Sequence, residues 1–210
     1  MLSYRGVWKR YAQDYVLKDV NLVLEEGEAV LVLGPNGSGK TTLLKLGIGL
    51  IRPSKGEVRV GEIDVRSPEA KRFLGYLPHF PPLYLDLTVR ENLKYYSGLY
   101  GMKELPEHVL EALKGFDLDK FLDRKVRELS YGWRKRVDVL RAIMGLPKVL
   151  LMDEPFSGLD LNGRNFMVSL IEELKSRGTS VIFTTPYGDV PVRADRVLEI
   201  RGGNLVELKG

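Results

Sequence analysis

The eight residues Gly34-Pro35-Asn36-Gly37-Ser38-Gly39-Lys40-Thr41 have the types and spacing of a loop that grips phosphate: a glycine, four variable positions, then Gly-Lys-Thr. Glycines at 34, 37 and 39 let the chain curl so that successive N–H groups point at one anion. A helix starting at the end of the loop adds unpaired N–H donors and about half an elementary positive charge. Lys40 can reach terminal phosphates as a compact, mobile cation. Thr41 offers a hydroxyl to a magnesium ion, and Thr42 a donor to phosphates nearer a ribose. The bland alternative is a glycine-rich turn capping an ordinary helix. Both flanks oppose it, because the apolar run 29–33 reads as a buried strand and 42–46 as the first turns of a helix.

A second group of reactive side chains follows another apolar run. Val149-Leu150-Leu151-Met152 leads into Asp153-Glu154-Pro155. Ligands gather at the carboxyl ends of strands in a parallel sheet, so both carboxylates should stand near the loop. Asp153 could hold Mg²⁺ directly or through water, since that ion prefers oxygen ligands and keeps part of its hydration shell. Glu154 could polarise a water aligned behind the last phosphorus. Such a pair is also common as a solvated strand cap, and the phosphate loop is what tips the balance.

The elements that must hold these groups follow from periodicity. Apolar residues alternate through 16–24 and the run ends in Glu25-Glu26-Gly27. Further strands are expected at 57–60, 73–77, 149–152 and 180–184, with a hairpin over 196–208 turning at Gly202-Gly203-Asn204. Helical patterning covers 88–100, 106–116, 132–144 and 162–176, with Pro106 suited to a first helical turn. Strands alternating with helices imply an α/β fold with a mainly parallel sheet. The N-terminal segments suggest a small antiparallel β layer beside it. One domain over 1–210 is expected, with a nucleotide-binding core of 1–78 and 147–210 and an inserted helical subdomain of 79–146.

Composition narrows the chemistry. The absence of cysteine removes disulfides, thiolate metal sites and cysteine nucleophiles, and two histidines are too few for a multi-histidine metal site. A net charge of +4, with signs alternating along most segments, does not mark a nucleic-acid binder. No run of apolar residues is long enough to span a bilayer, and residues 1–11 lack the apolar stretch of a secretory signal.

Downstream of the carboxylates comes Ser157-Gly158-Leu159-Asp160, and upstream Leu129-Ser130-Tyr131-Gly132-Trp133 opens an arginine-rich helix. With these in order, the whole chain resembles the ATP-binding-cassette ATPases. That family runs phosphate loop, glutamine loop, LSGGQ-type motif, Asp-Glu strand, SALD or SGLD loop and switch histidine. The resemblance implies a P-loop NTPase core with ATP and Mg²⁺ as ligands. It also implies two cassettes facing head to tail, with Ser130, Gly132 and Asp160 contacting the nucleotide site of the partner. Tyr11 would stack on adenine, or else be an ordinary half-buried strand aromatic. Residues 83–101 look like the exporter ATPases of the multidrug and haem-exporter type, in the segment where family members receive a coupling helix. The implied role is a peripheral ATPase subunit on the cytoplasmic face of the membrane, serving a membrane-spanning permease, with no nucleic-acid partner expected.

Three motifs depart from the family pattern. His79 stands where a glutamine is expected, and can be either a structural histidine or part of the nucleotide site. Tyr131 and Trp133 replace a glycine and a polar residue in the LSGGQ-type motif, with packing as their simplest role. Pro186 occupies the switch-histidine position and has neither a side-chain donor nor an N–H. Slow hydrolysis that still requires Glu154 is therefore expected. The alternatives are a hydrolysis-impaired regulatory cassette paired with an active partner, or a soluble family relative.

Overall fold

Three short apolar strands, β3 (Ala29–Leu33), β7 (Val149–Asp153) and β8 (Ser180–Thr185), form the centre of the molecule because they can be buried on both faces. The computed structural model describes residues 1–186 and 190–208. The remaining strands are β1 (Leu2–Tyr11), β2 (Asp14–Leu24), β4 (Lys55–Val60), β5 (Ile63–Asp64), β6 (Leu74–Leu77), β9 (Arg196–Arg201) and β10 (Asn204–Leu208). The helices are α1 (Lys40–Gly47), α2 (Val89–Leu99), α3 (Glu107–Gly115), α4 (Tyr131–Ile143) and α5 (Leu161–Ser176).

Six strands make one sheet in the order β10-β9-β3-β8-β7-β6, parallel throughout except for the terminal β9–β10 hairpin. A second, antiparallel sheet has the order β2-β1-β4-β5. Successive side chains on a strand face opposite ways, and the central strands use this to divide their residues between two cores. Val30, Val32, Val149, Leu151 and Ile182 pack toward α1 and the antiparallel sheet. Ala29, Leu31, Leu150, Met152, Val181 and Phe183 pack toward α2 to α5.

Between β6 and β7 the chain is helical. Thr88 opens α2 with a reciprocal cap: its hydroxyl accepts from the Glu91 N–H while the Glu91 carboxylate accepts from the Thr88 N–H. Several details differ from the sequence reading. Residues 2–11, assigned no strand, form β1, whose period-two pattern is broken by register shifts around Arg5 to Trp8. Phe73 ends a 3₁₀ turn (Pro68–Phe73) rather than opening β6. Pro106 is the residue flanking α3, with Glu107 first in the helix. Helix α4 begins one residue earlier than expected, at Tyr131.

Candidate functional site

The loop between β3 and α1 ends at Gly39, whose φ of 112° is a conformation other residues rarely adopt. That conformation starts α1 without any side-chain cap, so its first N–H groups remain available to an anion. Asn36, Gly37, Gly39, Lys40, Thr41 and Thr42 line one wall of a cavity of about 780 Å³. Lys40 is buried, and its ammonium donates to the carbonyls of Gly34 at 2.6 Å and Pro35 at 3.1 Å. Burial holds its pKa below the ordinary lysine value, opposed by the charges of Glu154 and Asp153.

Asp153 and Glu154 form the opposite wall. The Thr41 hydroxyl donates to Asp153 Oδ2 at 2.6 Å, joining residues 112 positions apart. Thr184, on the adjacent strand β8, donates to Asp153 Oδ1 at 2.8 Å and accepts from the Glu154 N–H at 3.1 Å. Thr41 and Asp153 thus present a neutral and an anionic oxygen side by side, a donor set that suits a hard cation keeping its other positions for water or phosphate. Among the described residues no group of three or more acidic, histidine or cysteine side chains gathers to hold a metal.

Glu154 leaves β7 with φ of 49°, in the left-handed region. Holding a non-glycine residue there costs on the order of 1–3 kcal/mol, and such strain concentrates at functional sites. The conformation turns the chain out of the sheet immediately after Asp153. It is held by Lys135 on α4, which is fully buried and donates to the carbonyls of Asp153 at 3.3 Å and Glu154 at 3.0 Å. His79 completes this side of the cavity, its Nδ1 lying 3.5 Å from Glu154 Oε2.

Other residues named from the sequence lie apart from this cavity. Tyr11, at the end of β1, is about half exposed and is not part of the cavity lining; Lys9 Nζ sits 4.9 Å from its ring centre. Val16, which the sequence reading passed over, lines the cavity instead. Gly34, Pro35 and Ser38 support the loop from outside the lining. Ser130 flanks α4 with its hydroxyl making no cap bond. Gly132 and Gly158 meet so closely that a Cβ on Gly132 would lie 2.3 Å from the Gly158 carbonyl oxygen. Asp160 caps α5 by accepting from the Gly163 N–H at 2.8 Å, and the same oxygen pairs with the buried Arg136. Trp133 packs on Phe121 with its ring under Arg136. The Tyr131 hydroxyl donates to the His79 carbonyl at 2.6 Å.

Sequence reasoning missed Lys135, Thr184 and Tyr76. Tyr76 lines the cavity with a buried hydroxyl that makes no hydrogen bond, and burial raises its pKa. Thr184 follows the apolar run Val181-Ile182-Phe183, and nothing in the sequence marks its direction toward Asp153. Lys135 lies one helical turn after Tyr131, but its inward direction needs the tertiary fold.

Comparisons with known proteins converge. A family model described as ABC transporter matches residues 17–157. Nod factor export ATP-binding protein I of Burkholderia orbicola is 36% identical over 98% of this chain and 69% of its own length. The sn-glycerol-3-phosphate import ATP-binding protein of Chromobacterium violaceum is 38% identical over 99% of this chain and 58% of its own length. The chain therefore spans roughly three fifths to two thirds of these two relatives. Among solved structures, a dimeric ATP-binding cassette in a post-hydrolysis state bound to ADP and Pi superimposes with a TM-score of 0.86. It shares 28% identity, and the match covers both chains completely.

Proposed function

This chain belongs to the ABC transporter family of ATP-binding cassettes, and from that premise we propose that it is the ATP-hydrolysing subunit of an exporter, acting as a dimer on a separate membrane-spanning partner. The observation that carries the chemistry is the 2.6 Å bond between Thr41 and Asp153 with Glu154 next in the chain. It brings the phosphate loop against two carboxylates, as phosphoryl transfer requires.

In this reading the loop N–H groups and Lys40 hold the phosphates of ATP, and Thr41 with Asp153 would hold Mg²⁺. The ion, when bound, supplies positive charge that offsets the charge on the phosphates. Glu154 orients a water behind the γ-phosphorus and takes one of its protons. The water oxygen bonds to phosphorus as the bond to the bridging oxygen breaks, and that electron pair leaves with ADP.

The membrane role is supported by an exposed apolar face on the helical segment. Tyr84, Leu85, Tyr95, Leu99 and Tyr100 are each more than two fifths exposed. The Tyr84 and Tyr95 rings pack edge-on at 4.8 Å, with their hydroxyls 3.1 Å apart. Among the described residues no helix is long and apolar enough to cross a membrane, and this reading assigns the crossing to a separate subunit. Export rests on the likeness of residues 83–101 to exporter ATPases; the similar relatives include one named for export and one for import. A direct test is Glu154→Gln. It should keep nucleotide binding and lose turnover at least about 100-fold, while equal turnover in both proteins would refute the assignment.

Pro186 favours a second reading. It lines a smaller cavity shared with Glu154, in the position where a donor to the terminal phosphate would otherwise stand. One missing donor is worth about 2–4 kcal/mol, or 10²–10³ in rate. The chain could then serve as a regulatory cassette whose partner does most of the chemistry. Turnover of a mixed dimer carrying Glu154→Gln separates the two, because only the regulatory reading leaves it undiminished.

A further inference from the structure

The carboxylate of Glu154 has a neighbour on its own side of the cavity. His79 Nδ1 lies 3.5 Å from Glu154 Oε2, out of contact with solvent and without any hydrogen bond. A further approach of about 0.6 Å would give an ordinary N–H···O bond. Catalytic hydrogen bonds are commonly long before substrate arrives and tighten afterwards. A ring nitrogen buried without a partner costs stability unless a bond is eventually made.

Both members of this pair are fixed through their main chains. Glu154 is held by Lys135 at its carbonyl and by Thr184 at its N–H. The His79 carbonyl accepts from the Tyr131 hydroxyl at 2.6 Å. The His79 ring meets Phe80 edge-on at 4.6 Å and Tyr131 at 6.2 Å. Tyr131 thus has a use beyond packing: it sets where the imidazole stands. The position after Thr185, where the family supplies its histidine, is Pro186 and offers no donor.

We propose that His79 is the positioning residue for Glu154 in ATP hydrolysis, donating from Nδ1 to Oε2 so that Oε1 faces the attacking water. This rests on the ATPase reading above. The histidine lost from the end of β8 is in effect supplied from the end of β6, on the other side of β7. A carboxylate pinned at one oxygen has fewer unproductive orientations, and the gain is expected in kcat rather than in nucleotide affinity.

Side-chain geometry gives the test its sharpness. Asparagine carries its amide nitrogen where histidine carries Nδ1, whereas glutamine carries it nearer Nε2. His79→Ala should lower kcat by about 10- to 100-fold and change nucleotide affinity by less than about threefold. His79→Asn should recover most of that loss and His79→Gln little of it. Adding Pro186→His to His79→Ala should also restore turnover. Glutamine equal to asparagine, or a loss carried entirely by nucleotide affinity, would overturn the proposal in favour of a direct contact with nucleotide or metal.

A second measurement reads the pair without turnover. The chain has only two histidines, so ¹⁵N-histidine labelling with a His108→Asn control assigns the His79 ring. At about pH 8, where ordinary imidazole is neutral, the proposal expects protonated Nδ1 in the native protein. It expects a shift toward the other tautomer in Glu154→Ala, which removes the acceptor. An unchanged ring spectrum would overturn the pairing even where turnover depends on Glu154. Turnover indifferent to Glu154 would instead overturn the ATPase reading itself.

Discussion

The ammonium of Lys135 donates to the Glu154 carbonyl at 3.0 Å, which ties the first turns of α4 to the end of β7. A helix that opens with the LSGGQ-type residues is thereby fastened to the strand that carries the two site carboxylates. The lysine is fully buried, and that burial lowers its pKa to about 8, against the opposing charges of Asp138, Asp153 and Glu154. The sign of the pH effect follows. Between about pH 8 and 10.5 the unfolded chain keeps a proton that the folded chain has given up, so this group's contribution to stability rises with pH across that window. Urea unfolding of the native protein and Lys135→Met at pH 7.5 and about 10 should show the native protein gaining on the variant by up to about 2–3 kcal/mol. A pH-independent difference between the two would refute the buried, depressed lysine.

Thr184 is a second test of how the site is held. Its hydroxyl serves Asp153 Oδ1 and the Glu154 N–H together. Thr184→Val keeps the shape and removes both bonds, leaving a buried acceptor and donor unpaired. The expected cost is about 1–3 kcal/mol in urea unfolding. Because Glu154 is held in a left-handed conformation that the bond helps to fix, turnover should fall more than nucleotide affinity does. A variant with native stability and native kcat would show that Thr184 only fills space.

The parts of this site legible in the sequence were those fixed by local chemistry. The phosphate loop announces itself because glycine, lysine and threonine must occur in sequence for the backbone to curl and the cation to reach. Asp153 and Glu154 could be read because an apolar run ending in acids has few other uses beside such a loop. The two cores were legible in part, since strand periodicity shows which residues are buried but not which face meets which helix. Lys135, Thr184 and the His79–Glu154 approach were not legible. Each depends on elements far apart in the chain, and a lysine inside a helix or a threonine inside a strand carries no sign of its direction. Strand β1 was hidden by the bulge near Gly6, which breaks the alternation that would have marked it.

The exposed aromatic face makes a separate prediction. Tyr95 and Leu99 on α2 are 42% and 66% exposed and lie outside the nucleotide cavity. Tyr95→Ser with Leu99→Asp should therefore change unfolding free energy by no more than about 0.5 kcal/mol per site. ATP binding should be unaffected. If this face receives a membrane subunit, the double variant should lose co-purification with it from native membranes. Retention of the membrane partner at native levels would put the docking face elsewhere.

Close packing between α4 and the loop after β7 gives a prediction that does not depend on nucleotide. Gly158 has φ of 75°, and a Cβ added there would lie 2.4 Å from a ring carbon of Tyr131. Gly158→Ala should carry two penalties: about 1–2 kcal/mol for the left-handed backbone, and a further 1–3 kcal/mol for the clash. Only the second depends on the ring. In a double-mutant cycle, Tyr131→Ala should relieve Gly158→Ala by about 1–3 kcal/mol, whereas Tyr131→Phe, which keeps the ring, should leave the two changes additive within about 0.5 kcal/mol. Additivity with alanine as well would mean that ring and loop are not in contact. The LSGGQ-type segment would then move independently of the Ser157–Asp160 loop rather than with it.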